Sequence, residues 1–204
     1  MSATVLNEFE IIPINCLWAE PDDLVRKIRS INMDSGTEWA FEKRELNLKN
    51  VYFPAPPPGG RHLPRCAVWQ PRSVSIGSVL IPNYQGGLIQ LMRHLNGRFR
   101  MRYFSAFIAR DYKKEGYCSF EHANERGERR NVHVIRDPKW KFFEKGEMMA
   151  FENIEYYRAK RIADRLTPAI VMEYLKSLGW DLNLEEFWEC KGEAWFVAQT
   201  AFNP

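Results

Sequence analysis

The sequence predicts an α+β fold, in which a mainly antiparallel sheet has about four helices packed against it. The first observation is the segment at residues 74–108, where an apolar run, a glycine loop, a helical apolar stripe and an alternating run follow one another. The second is that strand-like and helix-like segments occur without regular βαβ alternation. The third is length, because 204 residues with 45% hydrophobic residues can bury one full core. We therefore expect a single domain over residues 1–204.

The amino-terminal quarter is expected to contain three strands and one helix. Loose alternation predicts a strand at residues 5–14, and aromatic clusters predict two more at residues 39–41 and 51–53. Pro21 stands at a favourable first helical position, and two aspartates and an apolar stripe follow it, so a helix is predicted there. Residues 54–64 hold five prolines and two glycines. They could link two domains, but we expect a rigid surface loop, because the preceding segments are too few to close a separate core.

Turn-forming residues predict the junctions within residues 74–108. Pro82 and Asn83 stop a strand, and the apolar stripe beyond Gly86-Gly87 predicts a helix that ends at Asn96-Gly97. A strand is predicted at residues 98–108 from its period-two pattern. The glycine turn could hold a phosphate at the helix start, but it lacks the GxGxxG and GxxxxGK[ST] patterns. We therefore interpret it as a tight connection between strand and helix.

A hairpin is predicted after this central segment. Its strands lie at residues 117–120 and 131–135, and its tip is the charged segment at residues 124–130. The charges at the tip are typical of a solvent-exposed turn. The aromatic residues that follow, at 140–143, continue the apolar pattern towards the carboxy-terminal helices.

The carboxy-terminal third is predicted to contain two helices and a last strand. The first helix runs from about residue 153 to 165. The second begins at the N-cap Thr167, has Pro168 at its first position, and ends at Gly179. Aromatic residues between 187 and 197 predict the last strand.

Composition limits the protein class. The net charge is +3, well short of the concentrated basic patch of a dedicated nucleic-acid binder, so nucleic acid is not the expected partner. No basic-then-apolar leader and no run of roughly 18 apolar residues occurs, which predicts neither a signal peptide nor a membrane span. The four cysteines are far apart and form no CxxC pair, which is typical of free thiols in a reducing compartment. We expect a cytoplasmic protein.

Candidate catalytic and metal residues are few. Cys118, His122 and His133 could meet across the predicted hairpin, but their spacing matches no zinc signature, and Cys118 stands among core aromatics. GxSxG and HExxH are both missing from the sequence. We therefore expect no metal, no cofactor and no catalytic group, which favours a protein that is not an enzyme.

Two basic clusters are the candidate binding residues. The first cluster consists of Arg98, Arg100 and Arg102. Apolar residues alternate with these arginines, so in a strand the three guanidinium groups would share one face over roughly 13 Å. These arginines could bind anionic groups of a partner, or they could pair with local acids on a half-exposed strand. The second lies on the helix predicted at 153–165 and combines aromatic with basic residues, as interface hot spots do; it consists of Tyr156, Tyr157, Arg158, Arg161 and Arg165.

The second half of the chain resembles a known group of proteins. The likeness rests on aromatic and turn positions: Pro82-Asn83, Gly86-Gly87, Trp140, Phe142-Phe143, Gly146, Phe151, Tyr156-Tyr157, Lys160-Arg161, Tyr174, Leu178-Gly179-Trp180 and Phe187-Trp188. With these residues the chain resembles uncharacterised bacterial proteins of toxin-immunity systems. The resemblance implies a cytoplasmic protein that binds and neutralises a cognate toxin. A charge of +3 suits a toxin with a neutral or acidic surface better than a basic nuclease.

The alternative is a small enzyme that acts on an anionic small molecule or a nucleotide. In that case the three arginines of the first cluster would bind the substrate, and His94, His122 or His133 would serve as acid–base. A pocket in which a histidine and the arginines converge would indicate the enzyme, whereas a broad exposed patch of aromatic and basic side chains would indicate a binding protein. A nucleic-acid accessory protein would show steeply salt-dependent binding.

Overall fold

One antiparallel sheet contains every strand of the described residues. The structure is a computed structural model, and it describes residues 9–34, 38–52, 63–83 and 87–200. In chain order the nine strands are β1 (Ile11–Leu17), β2 (Trp39–Arg44), β3 (Arg65–Trp69), β4 (Ser78–Pro82), β5 (Tyr103–Ala109), β6 (Tyr117–Ala123), β7 (Arg129–Asp137), β8 (Lys139–Lys145) and β9 (Ala194–Gln199). Their order across the sheet is β2-β9-β3-β4-β1-β5-β6-β7-β8, so β1 is central. Strand β8 is an edge strand of this sheet.

The described residues contain seven helices, and four of them have only four residues. They are α1 (Pro21–Asp34), α2 (Lys49–Tyr52), α3 (Ile89–Phe99), α4 (Tyr112–Glu115), α5 (Ile154–Tyr157), α6 (Pro168–Ser177) and α7 (Glu185–Trp188), with a 3-10 turn at Ile162–Asp164. Within the described ranges only α1, α3 and α6 reach ten residues. The predicted fold class, a sheet with about four helices packed against it, is therefore wrong: the molecule is mainly sheet, with few helices on it.

The two faces of the sheet are covered differently. On the front face, α1 and α3 pack on Leu17, Val68 and Leu80 through an apolar cluster that includes Leu24 and Met92. On the back face a larger cluster joins α6 and α7 to the sheet. It includes Ile14, Trp69, Phe104, Phe120, Val132, Val171, Leu175 and Phe187. Side chains alternate between these faces along each strand, so the register decides which residues can meet.

Several local predictions are confirmed. The hairpin of β6 and β7 pairs Tyr117 with Ile135 and Ala123 with Arg129. At the start of α6 the Thr167 side chain accepts a hydrogen bond from a backbone N–H of the first turn, and Pro168 occupies the first position. Beyond that helix Gly179 adopts φ +91°, a conformation that glycine tolerates best.

Other local predictions are wrong. The strand predicted at residues 51–53 is wrong at residues 51 and 52, because Lys49–Tyr52 forms a helical turn, and residue 53 lies outside the described residues. Phe187 and Trp188 belong to the helical turn α7 and not to a strand. The helix expected from 153 to 165 is only a helical turn followed by an extended Arg161 and a 3-10 turn. Most of the expected loop at 54–64 and the Gln85-Gly86 part of the glycine turn lie outside the described residues.

Among the described residues, no helix is both long enough and apolar enough to cross a lipid bilayer.

Candidate functional site

The first predicted arginine cluster does not form a stripe. Helix α3 continues to Phe99, so Arg98 lies in its last turn and Arg100 follows as a left-handed cap with φ +56°. Arg102 precedes β5, which begins at Tyr103. The prediction that Arg98, Arg100 and Arg102 share one strand face is wrong, because the helix runs through the Asn-Gly pair that was expected to end it.

Asn96 explains the longer helix. It is fully buried, and its amide nitrogen donates to the backbone oxygens of Met101 (3.0 Å) and Asn124 (2.7 Å). The second of these bonds ties the end of α3 to the tip of the β6–β7 hairpin. A residue that favours turns locally is thus held in a helix by a partner 28 positions away.

The second predicted cluster is split between the core and the surface. Tyr157 is buried, and its hydroxyl donates to Glu152 at 2.6 Å. Arg165 donates to the backbone oxygen of Ala159 at 3.1 Å. These hydrogen bonds tie both side chains to neighbouring parts of the fold, and their role in binding a partner stays a prediction.

The other members of the second cluster lie at the surface. Tyr156 donates to Glu173 at 2.7 Å, and Arg158 pairs with Glu155 at 2.6 Å. Arg161 is exposed. Their role in binding a partner stays a prediction.

The candidate metal ligands are separated by the sheet. Cys118 and His122 point to the back face, where Cys118 pairs with Val134 in the register, whereas His133 points to the front face. Burial raises the pKa of the Cys118 thiol. The described residues contain no group of three histidine, cysteine or acidic side chains placed to hold a metal ion.

An uncovered part of the front face lies over β5 to β8. Four aromatic rings cross these strands in a row: Phe107 is 5.0 Å from Tyr117, Tyr117 is 6.3 Å from His133, and His133 stacks on Phe143 at 4.9 Å. The first three are half-buried and Phe143 is 46% exposed. We call this row the aromatic ladder.

Basic side chains lie at one end of the aromatic ladder, on the edge strand β8. Strand alternation places Lys139, Lys141 and Lys145 on the same face as Phe143. All three are exposed, and Asp137 lies 3.6 Å from Lys141. We call the aromatic ladder together with these three lysines the open face.

A cleft of about 410 Å³ adjoins the ladder, between the start of α3 and strands β5 to β7. Its polar floor is Glu121, which is 4% exposed. The carboxylate accepts two bonds from Arg93, at 3.0 and 2.6 Å, one from Asn131 at 3.0 Å, and one from the Tyr103 hydroxyl. Burial opposes ionisation of this carboxyl, but these donors outweigh it and lower its pKa. Glu121 is therefore an ionised anchor and not a proton donor.

A second polar network closes the other side of the cleft. Asn15 donates to the backbone oxygens of Leu80 (3.1 Å) and Gly87 (2.9 Å) and accepts from the Ser105 hydroxyl (2.7 Å). The Ser105 hydroxyl donates its hydrogen atom to Asn15 and is therefore already hydrogen-bonded. No histidine is among the described residues that line the cleft. The described residues of the cleft therefore form a recess without an activated nucleophile among them.

A cavity of about 490 Å³ that is widely open to solvent lies on the back face, at the start of β5 and the end of β6. It brings together Arg102 and His122, whose Nε and Nε2 atoms are 3.3 Å apart. The Arg102 guanidinium also lies over the Trp18 ring, 3.9 Å from its centre. Burial, and next the charge of Arg102, lower the pKa of His122 from its ordinary value near 6.5 to about 4. This imidazole is neutral at physiological pH.

Reasoning from the sequence missed the cleft and the aromatic ladder. The residues of the cleft and of the ladder are spaced by two along each strand. Alternation therefore places Tyr117, Ser119 and Glu121 on the same face of β6. It likewise places Lys141 and Phe143 on the same face of β8. A glutamate in an otherwise apolar strand was the available signal. Which strands are neighbours, however, is visible only in the folded sheet.

Comparison with protein-family models, with curated proteins and with solved structures finds no significant match to this chain. The resemblance to toxin-immunity proteins therefore stays a prediction.

Proposed function

We propose that this chain is a non-enzymatic, cytoplasmic binding protein that acts as an immunity protein, and that a protein toxin docks on its open face. The observation that supports this best is the exposed aromatic ladder beside a preformed cleft. Tyrosine, phenylalanine and histidine rings packed against one another need little ordering when a partner binds.

The cleft gives the open face an anchoring point. Recesses that accept one partner side chain are typical of interface hot spots, where a well-packed and desolvated group contributes most of the affinity. Tyr117 and Phe107 line both the ladder and the cleft, so one partner segment can contact both. The internal hydrogen bonds of Arg93 and Glu121 keep the recess open before binding.

Charge selects the kind of partner. The three lysines of the open face outnumber the one acid beside them, Asp137, and the charge of Arg93 is balanced by Glu121. An acidic protein surface is therefore complementary, and it would associate faster at low salt. This agrees with the net charge of +3, which disfavours a basic nuclease as the toxin.

The test begins with affinity capture of the tagged full chain from lysate of its source cells at low salt, followed by mass spectrometry. We expect one stoichiometric protein with an acidic surface that is toxic when expressed alone. The affinity of the captured protein for two purified variants of the chain is then measured. One variant carries both Lys141→Glu and Lys145→Glu, and the other carries Phe143→Ser. Each change should weaken binding at least ten-fold, since it removes charge complementarity or part of the aromatic ladder.

The control is the charge reversal of Arg158 and Arg161, which lies on the surface predicted from the sequence. If this pair weakens the complex and the lysine pair does not, the partner docks near α5, and the open face is the wrong surface. A captured protein that lacks toxicity would leave a binding protein but remove the immunity role. A nucleotide or metabolite in place of a protein partner would favour the enzyme.

The alternative, an enzyme for an anionic small molecule, required histidine and arginines to converge. Of the residues named for it, Arg102 and His122 do so, whereas His94 is exposed on α3 and His133 belongs to the aromatic ladder. His122 Nε2 is occupied by Arg102, so this ring is poorly placed to accept a substrate proton. The convergence supports ligand binding better than catalysis.

A further inference from the structure

We propose that the back-face cavity lined by Arg102 and His122 binds a small organic carboxylate with an apolar body. This inference is independent of the proposed protein partner, which docks on the opposite face of the sheet. It depends on the charge of Arg102, on the neutral His122 ring that holds this guanidinium in place, and on the apolar walls of the cavity.

His122 holds a donor that has no acceptor. The side chain is 4% exposed, and Nε2 faces the Nε–H of Arg102, which can only donate. The neutral ring therefore carries its proton on Nδ1, and no described residue accepts a hydrogen bond from that atom. That nitrogen is sealed from solvent, so the ring serves as a neutral wall of the cavity, and its Nε2 fixes the position of Arg102.

Arg102 supplies a positive charge in a fixed orientation. Its guanidinium stacks over Trp18, and among the described residues no carboxylate lies within salt-bridge distance of it. Glu125 is the acid whose field reaches His122, and it is an exposed residue of the hairpin tip. A planar guanidinium held over a ring is well suited to a carboxylate, which it can bind through two parallel hydrogen bonds.

The walls of the cavity determine the rest of the ligand. Met149, Phe151 and Leu178 line it, and the Phe151 ring lies 5.6 Å from the His122 ring. A cavity of about 490 Å³ has the size of a small-molecule site. The one cation among the described residues of the lining, Arg102, matches a single negative charge, so we assign a monoanionic carboxylate with an aromatic or branched apolar body and not a phosphate dianion.

The probe is 3-phenylpropionate, with 3-phenylpropionamide as its neutral counterpart, titrated into the full chain by calorimetry and by NMR of the His122 ring. The wild-type protein should bind the acid saturably, with a shift of the His122 ring resonance, and bind the amide at least ten-fold more weakly. Arg102→Gln should weaken binding of the acid at least ten-fold. Arg161→Gln, which removes one exposed charge elsewhere, should leave it unchanged.

A second variant separates binding from folding. Met149→Trp fills the apolar side of the cavity without removing a polar group, so it should abolish binding while the thermal unfolding temperature stays close to that of the wild type. Equal affinity of wild type and Arg102→Gln for the acid would overturn the proposal. So would the lack of saturable binding, or a shift confined to residues of the open face.

Discussion

Replacing Arg130 with methionine should strongly destabilise the protein, because this change leaves a carboxylate buried without its cation. Arg130 is 2% exposed and lies on the back face of β7. Its guanidinium donates to Glu152 at 3.0 and 3.1 Å, to Glu144 at 2.5 Å and to the backbone oxygen of Gly146 at 2.9 Å. The network joins β7 and β8 to the segment before α5.

The size of the effect follows from the burial of both partners. The Glu152 side chain is 0% exposed, and without Arg130 it keeps only its bonds from Tyr157 and from the Met149 amide. Removing one partner of such a pair costs about 3–5 kcal/mol. In a domain of this size, that corresponds to a fall in the thermal unfolding temperature of about 10 °C.

The assay is urea unfolding of four proteins that form a cycle. They are the wild type, Arg130→Met, Glu152→Gln and the double variant. The double variant should be about 1–3 kcal/mol more stable than Arg130→Met, because a neutral amide no longer needs the cation and still accepts from Tyr157. Arg158→Met is the control, since its ion pair with Glu155 is 67% and 66% exposed and should change stability by less than about 1 kcal/mol.

The reasoning would be refuted by an Arg130→Met variant that loses no more stability than Arg158→Met. A double variant less stable than Arg130→Met would contradict the specific claim that the unpaired Glu152 carboxylate causes the loss of stability.

Three further changes test other parts of the structure. Gly146→Ala should cost about 2 kcal/mol or more in urea unfolding, because Gly146 has φ +90° and an added Cβ would overlap the Arg129 carbonyl oxygen. Thr167→Ala should cost about 1 kcal/mol and lower helix content in circular dichroism, since it removes the cap of α6. His122 has a folded-state pKa of about 4, so the unfolded chain binds its proton first and stability should fall by up to about 3 kcal/mol as pH drops from 6.5 to 4. His122→Gln should reduce that slope in pH-dependent unfolding, and an unchanged slope in this variant would contradict the assignment to His122.

Local chemistry predicted the elements whose signals lie within a few residues. The α6 helix was readable from Thr167, Pro168 and Gly179, because each acts on the backbone next to it. The β6–β7 hairpin was readable because both strands alternate on either side of a charged tip. These signals do not depend on the rest of the fold.

The same local signals failed where distant contacts override them. Asn96 stays in a helix because its amide bonds Asn124, and the 153–165 segment breaks because Tyr157 turns into the core to meet Glu152. Because α3 extends to Phe99, Arg98 lies in the helix and Arg100 caps it, whereas Arg102 lies next to β5. The three arginines are therefore not on one strand. The predicted surface at Arg158 and Arg161 is still to be tested.

The sequence by itself determined which side chains share a face within each strand and where the capped helix begins and ends. Only the tertiary structure decided that β5 to β8 lie side by side with an uncovered front face, and that Arg93 meets Glu121 while Arg102 meets His122. Alternation and capping are properties of neighbouring residues, set by backbone geometry. Strand order and side-chain pairing instead depend on how all nine strands pack together, which no short stretch of sequence contains.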